Sequence, residues 1–255
     1  MKKVIFIAAS LLAIAACNKP VFNVQNEVGY LNFNLAADDI IVTTKAPVEE
    51  LGGYTVYVGD TRYEYANIKD KVLEINPGKY AVYAENITPD LAHKSNDGNG
   101  ALRLASASQE VQVAAGQTAG VELHCTAVNA KITVTFDESF KAAFDSWNVT
   151  LGYENDNTRN KTVTNGTSEQ DAVFFYNIHE SIKNLAFALS ATPKHGGNAK
   201  TKTTTLEIQA GHHYTVNYSA GTSGYVDITV SADDQLLNGG TSDVTVNPYA
   251  SEQNS

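Results

Sequence analysis

Ala130-Lys131-Ile132-Thr133-Val134-Thr135-Phe136 is the stretch that decides the fold. Ile132, Val134 and Phe136 fall at every second position, the period of a strand with one face in a core and one in water. The same alternation occurs in Tyr30-Leu31-Asn32-Phe33-Asn34-Leu35, with Leu31 101 positions before Ile132. Val56 precedes Val149 by 93 positions, and Gly116 precedes Gly211 by 95. Offsets this close, on separate strands, read as an internal duplication. The boundary falls near Thr126–Asn129. This predicts two domains, 29–127 and 128–232, and a polar tail, 233–255, with the strand-like Val244-Thr245-Val246 inside it.

The rest of both halves is strand after strand. Ile40–Thr44 and Tyr54–Val58 are β-branched and aromatic. Lys71–Ile75 and Lys79–Ala84, around Asn76-Pro77-Gly78, read as one hairpin. Glu110–Val113 and Gly120–Leu123, around Ala115-Gly116-Gln117, read as a second. Their counterparts are Val173–Tyr176 with Leu185–Leu189, and Leu206–Gly211 with Tyr214–Tyr218. Helix is scarce: Glu138–Phe144 with Asp137 as N-cap, and one turn at His179–Asn184. The expected fold class is all-β, two tandem antiparallel β-sandwiches of Greek-key type with about seven strands each.

The N-terminus reads differently. Lys2 and Lys3 precede an apolar run, Val4–Ala16, that ends in small residues before Cys17. Charge, short apolar core, small residues and cysteine make a lipoprotein signal peptide, residues 1–16. The run is too short for a spanning helix, which needs about 20 residues. The expectation is a chain cut before Cys17, lipidated there, and held to a membrane through residues 17–28 as tether.

The chain carries 28 Asp and Glu against 18 Lys and Arg, a formal net charge of −10, and loses two lysines with its signal. That balance excludes a nucleic-acid partner, which needs a clustered basic face. Besides Cys17 there is one cysteine, Cys125, in the alternation Val121–Cys125. It reads as a small buried hydrophobe.

No catalytic constellation stands out, and the expectation is a non-enzyme with no metal and no cofactor. His212-His213 follows Gly211 at a turn, where neighbours point to opposite faces. Gly221-Thr222-Ser223-Gly224 has the wrong spacing for a nucleophile elbow. Asp38-Asp39 and Asp233-Asp234 end strands. Aromatic rings are the surface candidates: Tyr54, Tyr57, Tyr63, Tyr65, Tyr80 and Tyr83 crowd the first half, and with Trp147 they could stack on a sugar or anchor a partner.

Cys17, Gly29-Tyr30-Leu31-Asn32-Phe33, Val42-Thr43-Thr44-Lys45-Ala46, Val111–Thr118 and Lys131–Phe136 resemble a group of Bacteroidetes-type lipoproteins, the fimbrillins and their pilus-tip and anchor proteins. The resemblance implies two transthyretin-like sandwiches, an outer-membrane lipid anchor, and a part in fimbriae or adhesion beside other fimbrial or surface proteins; the surface face is expected ahead of the periplasmic face, which the residues after Cys17 leave open. It also implies a proteolytic cut after Lys45 that frees an early strand, whose groove a neighbour's strand fills. The alternative is a glycan-binding lipoprotein of a polysaccharide-uptake system.

Overall fold

The computed structural model describes residues 28–37, 53–95, 98–165, 172–178, 184–221 and 226–233. The signal segment with Cys17, the strand expected at Ile40–Thr44, Lys45, the helical turn expected from His179 on and the tail from 234 lie outside them.

In the first half the strands are β1 (Gly29–Ala37), β2 (Thr55–Val58), β3 (Thr61–Glu64), β4 (Leu73–Ile75), β5 (Gly78–Glu85), β6 (Leu104–Ser106), β7 (Gln109–Val113) and β8 (Thr118–Ala127). The second half has β9 (Asn129–Phe136), β10 (Phe144–Tyr153), β11 (Lys161–Thr164), β12 (Ala172–Asn177), β13 (Asn184–Pro193), β14 (Lys200–Glu207), β15 (His213–Ala220) and β16 (Val226–Asp233). Helices are short: α1 (Tyr65–Ile68), α2 (Pro89–Lys94) and α3 (Glu138–Ala143). The Asp137 carboxylate caps α3, accepting from Phe140 N at 2.8 Å.

The second half is two four-stranded sheets, β11-β10-β13-β14 and β12-β9-β15-β16. Its core draws Val149, Leu151, Phe187 and Leu189 from the first sheet and Ile132, Val134, Val216 and Tyr218 from the second. In the first half, β3-β2-β5 with β7 beside β5 faces β4-β1-β8, and β6 stitches the two together. It pairs with β8 over three residues and with β5 through Glu85 and Ala105. Val56, Val58 and Val82 from one layer meet Leu31, Phe33 and Leu123 from the other in a separate core.

The duplication extends to single hydrogen bonds. β1 lies parallel to β8 with Tyr30 opposite Thr118, and β9 lies parallel to β15 with Lys131 opposite His213. Adding 101 to the first strand and 95 to the second carries one register onto the other. Tyr30 N donates to Gln117 O as Lys131 N donates to His212 O; Gly116 N donates to Val28 O as Gly211 N donates to Asn129 O. Both glycines have positive φ, 69° and 77°, which a side chain would strain.

Two expectations change. The sheets are not wholly antiparallel, since β1–β8 and β9–β15 run parallel. The four expected hairpins are arches between layers. β4 pairs with β1 and β5 with β2; β7 pairs with β5 and β8 with β1. In the second half β12 pairs with β9 and β13 with β10, while β14 pairs with β13 and β15 with β9. A hairpin and an arch both join two alternating strands by a Gly-containing turn. They differ in whether the second strand lies beside the first or across the core from it, and alternation does not record that.

The halves meet at β12, an outer strand of its sheet. Phe175 N donates to Asn99 O at 2.8 Å, and Asn177 Nδ2 to Pro89 O at 3.1 Å. A Cβ on Gly100 (φ 90°) would stand 2.6 Å from Phe175 O. The loop thus covers a strand edge, and only glycine allows the approach. Asn129 fixes the junction, accepting from Arg103 N at 3.2 Å and donating to Ala101 O at 2.8 Å.

Candidate functional site

Strand parity sorts the aromatic candidates. In Tyr54–Val58 the inward set is Tyr54, Val56 and Val58, all under 4 % exposed, which turns Tyr57 outward. Tyr65 is buried in α1 and accepts a hydrogen bond from Leu35 N at 3.2 Å. Trp147 shares the inward parity of Val149 and Leu151 and is buried against Phe136 and Phe140, 5.5 and 5.3 Å between ring centroids. Tyr63 and Tyr80 are half-buried against the first core. Tyr54, Tyr65 and Trp147 therefore serve packing and offer no surface; Tyr57 is the ring on the outer face.

Tyr57 does not stand alone. β2 pairs with β5 so that it lies opposite Tyr83, and the two rings stack with centroids 4.4 Å apart and planes 4° from parallel. Both are half-buried. Tyr57 Oη donates to Glu85 Oε1 at 3.0 Å, and Glu85 Oε2 accepts from Arg103 Nε at 3.1 Å and Nη2 at 2.7 Å. Glu85 is 3 % exposed, so a buried carboxylate with charged and neutral donors anchors the pair from below. On the other side, Arg62 of β3 lies opposite Tyr57 and is exposed. Burial, and then the bond to Glu85, pushes the Tyr57 hydroxyl above the ordinary tyrosine value. Burial, and then the Glu85 charge, does the same for Tyr83.

Arg62, Glu85 and Arg103 are the residues that sequence reading missed, together with the pairing of Tyr83 to Tyr57. A parity signal was present for Tyr83: Val82 and Ala84 of β5 point inward, so it points outward with Tyr57. The Glu85–Arg103 pair left none, because 18 residues and a sheet crossing separate its members.

A second cluster of displaced pKa values is structural. The Arg159 guanidinium lies over the Tyr153 and Tyr176 rings, 5.6 and 5.1 Å from their centroids. Tyr153 Oη donates to Asn177 O at 2.6 Å. Tyr176 Oη lies 3.2 Å from the carbonyls of Leu151 and Arg159. Burial raises both phenols and lowers Arg159. The buried hydroxyls tie β12 to β10, so they pin one layer to the other.

His212 and His213 turn apart: His212 packs on Tyr214, and His213 Nε2 meets Thr133 Oγ1 at 2.8 Å. Cys125 is fully buried, its thiol 3.7 Å from Ala84 O. Among the described residues no three His, Cys, Asp or Glu side chains converge for a metal. No described helix is long and apolar enough to cross a membrane.

The family described as "Domain of unknown function (DUF4493)" matches residues 27–248. The chain belongs to it. No curated protein matches the sequence. Among solved structures, the chain is similar to a candidate cell adhesion protein from Bacteroides eggerthii, at 14 % identity and TM-score 0.48, covering 82 % of this chain and 97 % of that one. It is similar to a fimbrial assembly protein from Parabacteroides distasonis, at 12 % and 0.43, covering 80 % and 95 %. It is also similar to candidate polysaccharide-binding proteins from Bacteroides thetaiotaomicron, at 11 % and 0.44, covering 81 % and 95 %.

Proposed function

We propose that this DUF4493 protein is a non-enzymatic, lipid-anchored component of the outer-membrane surface with a structural or adhesive role, a fimbrial anchor or tip subunit. One observation supports it above the others. β1 is inserted between β8 and β4, with eight residues in register with β8 and three with β4. It contributes Leu31, Phe33 and Leu35 to the core. Burying such side chains is worth about 1.5–3 kcal/mol each, so the slot β1 occupies would take up another strand of the same pattern strongly.

Lys45 follows β1 in sequence and precedes β2. A cut there separates β1, and the lipid on Cys17 with it, from the remaining strands. An anchored copy therefore keeps β1, and a cut copy is released with its slot open to a partner's strand. The N-termini of membrane-held and assembled copies, read by mass spectrometry, test this. Membrane-held copies should retain Gly29–Ala37 and assembled copies should begin at Ala46. Assembled copies with β1 intact would refute strand exchange. Cys17→Ala should move the protein into the soluble fraction, and its retention on membranes would refute the anchor.

A further inference from the structure

We infer that the outer face of β3-β2-β5 is a carbohydrate-binding site, in which the Tyr57–Tyr83 pair forms an aromatic platform and Arg62 donates hydrogen bonds to the hydroxyls of a neutral hexose glycan. The site lies on the layer opposite β1 and does not depend on strand exchange.

The duplication provides the control. Tyr57 opposite Tyr83 corresponds, in the same register of the second half, to Thr150 opposite Ala188. Arg62 opposite Tyr57 corresponds to Thr162 opposite Thr150, and Glu85 opposite Thr55 to Ser190 opposite Asn148. There the side chains are small, and Thr150 and Thr162 share one hydroxyl hydrogen bond at 3.1 Å. The same strands thus hold the same register without rings, cation or carboxylate. A cross-strand pair is worth about 0.2–1 kcal/mol to a sheet, and the second half forms its sheet without the aromatic one.

The geometry suits a sugar. A pyranose ring presents a C–H face to an aromatic face and hydroxyls at its rim. Glu85, held by Arg103, fixes the Tyr57 ring through its hydroxyl before any ligand arrives, which lowers the ordering cost of binding. The Tyr83 face turned away from Tyr57 lies on the β7 side. There the register, Val82 opposite Gln109, leads to the exposed Ala107 and Ser108. Along the strands, the next outward positions are Gly59 and Ala81, which add almost no height. Arg62 lies on the far side of Tyr57, so it serves a further unit of the same sugar chain as that chain crosses the pair; it has no bond to another described residue, and its five donors are available.

The surroundings decide against a protein partner. A protein interface covers about 800 Å² per side, and its core is depleted of charge. Here two rings stand among exposed Arg62, Glu64, Lys79 and Glu110. The exposed large apolar residues among those described, Val72 and Leu91, lie elsewhere. The net charge of −10 disfavours an anionic polymer. Both phenols are displaced upward, so the platform stays neutral and binding should be flat from pH 6 to 9.

The test is titration of the purified full chain in detergent with neutral hexose oligosaccharides, followed by tyrosine fluorescence and calorimetry, with uronic-acid oligosaccharides as a second arm. Binding to neutral oligosaccharides is expected, weakened at least tenfold by Tyr83→Ala and several-fold by Arg62→Ala. Tyr83→Phe, which keeps the ring, should bind nearly as the parent does, and Thr150→Ala should change nothing. Melting temperatures of the variants separate lost binding from lost folding. Absence of binding at millimolar sugar, binding that survives Tyr83→Ala in a folded chain, binding of the uronic-acid arm alone, or capture of a protein through these rings would each overturn the assignment. None of those outcomes bears on the fate of β1.

Discussion

The two halves repeat one strand plan and spend their polar residues differently. The first half keeps a buried ion pair, Glu85 with Arg103, beneath its outer tyrosines. Both halves keep phenols inside, but in the second Tyr153 and Tyr176 donate to backbone carbonyls across the layers beside the Arg159 guanidinium, and Tyr218 lies against Phe136. The edges differ too. β15 is paired along its length by β16, whereas among the described residues β8 has a strand on that side only at Cys125–Ala127, from β6. What the halves share is the fold's requirement, and what they do not share marks where other demands act.

Alkaline pH should break this comparison most sharply. Burial raises Tyr153, Tyr176 and Tyr218 well above the ordinary value near 10. A raised phenol contributes stability that is complete below pH 10. It is lost as pH rises toward the folded value, because the unfolded chain ionises first. The loss is about 1.4 kcal/mol per pH unit for each group. Chemical denaturation at pH 8 and pH 11 should therefore show a loss of several kcal/mol. Tyr153→Phe should reduce the slope, and an unchanged slope would place that phenol in water.

Next in size is the ion pair. Glu85→Ala strands a partly buried guanidinium and should cost about 3 kcal/mol, whereas Ser190→Ala, its counterpart, should cost under about 0.5 kcal/mol. Similar losses in the two would show that the pair is not what distinguishes the halves. Gly100→Ala should cost about 2 kcal/mol through its positive φ and the contact with Phe175 O. Faster amide exchange at Phe175 would locate the damage at the β12 edge. The smallest effect is in exchange rates alone: Gly120 and Glu122 of β8 should exchange faster than Thr215 and Asn217, their equivalents in β15. Equal protection would mean that something pairs with β8 where β16 pairs with β15.

Much of the plan was legible because burial imposes it residue by residue. Leu31, Phe33 and Leu35 against Ile132, Val134 and Phe136 gave the strands, and Gly116 with Gly211 gave the repeat, since each requires a positive φ. Layer assignment was not legible, because the turn at Asn76–Gly78 fits an arch as well as a hairpin. The site was half legible. Tyr57 is outward by parity, but its pairing with Tyr83 needs the β2–β5 register, and Glu85 with Arg103 needs the crossing through β6. Trp147 misled because its size suggests a surface anchor, whereas its parity with Val149 puts it inside.

The parallel seating of β1 on β8 has a mechanical consequence. A pull on the chain ahead of Gly29 acts along the axis of β1, so the bonds to β8 and β4 are loaded together in shear and do not open one by one from an end. A strand held this way resists a tug along its length far better than a tug that peels it. Drag on the body, if delivered through the segment before Gly29, therefore falls on the geometry best able to bear it.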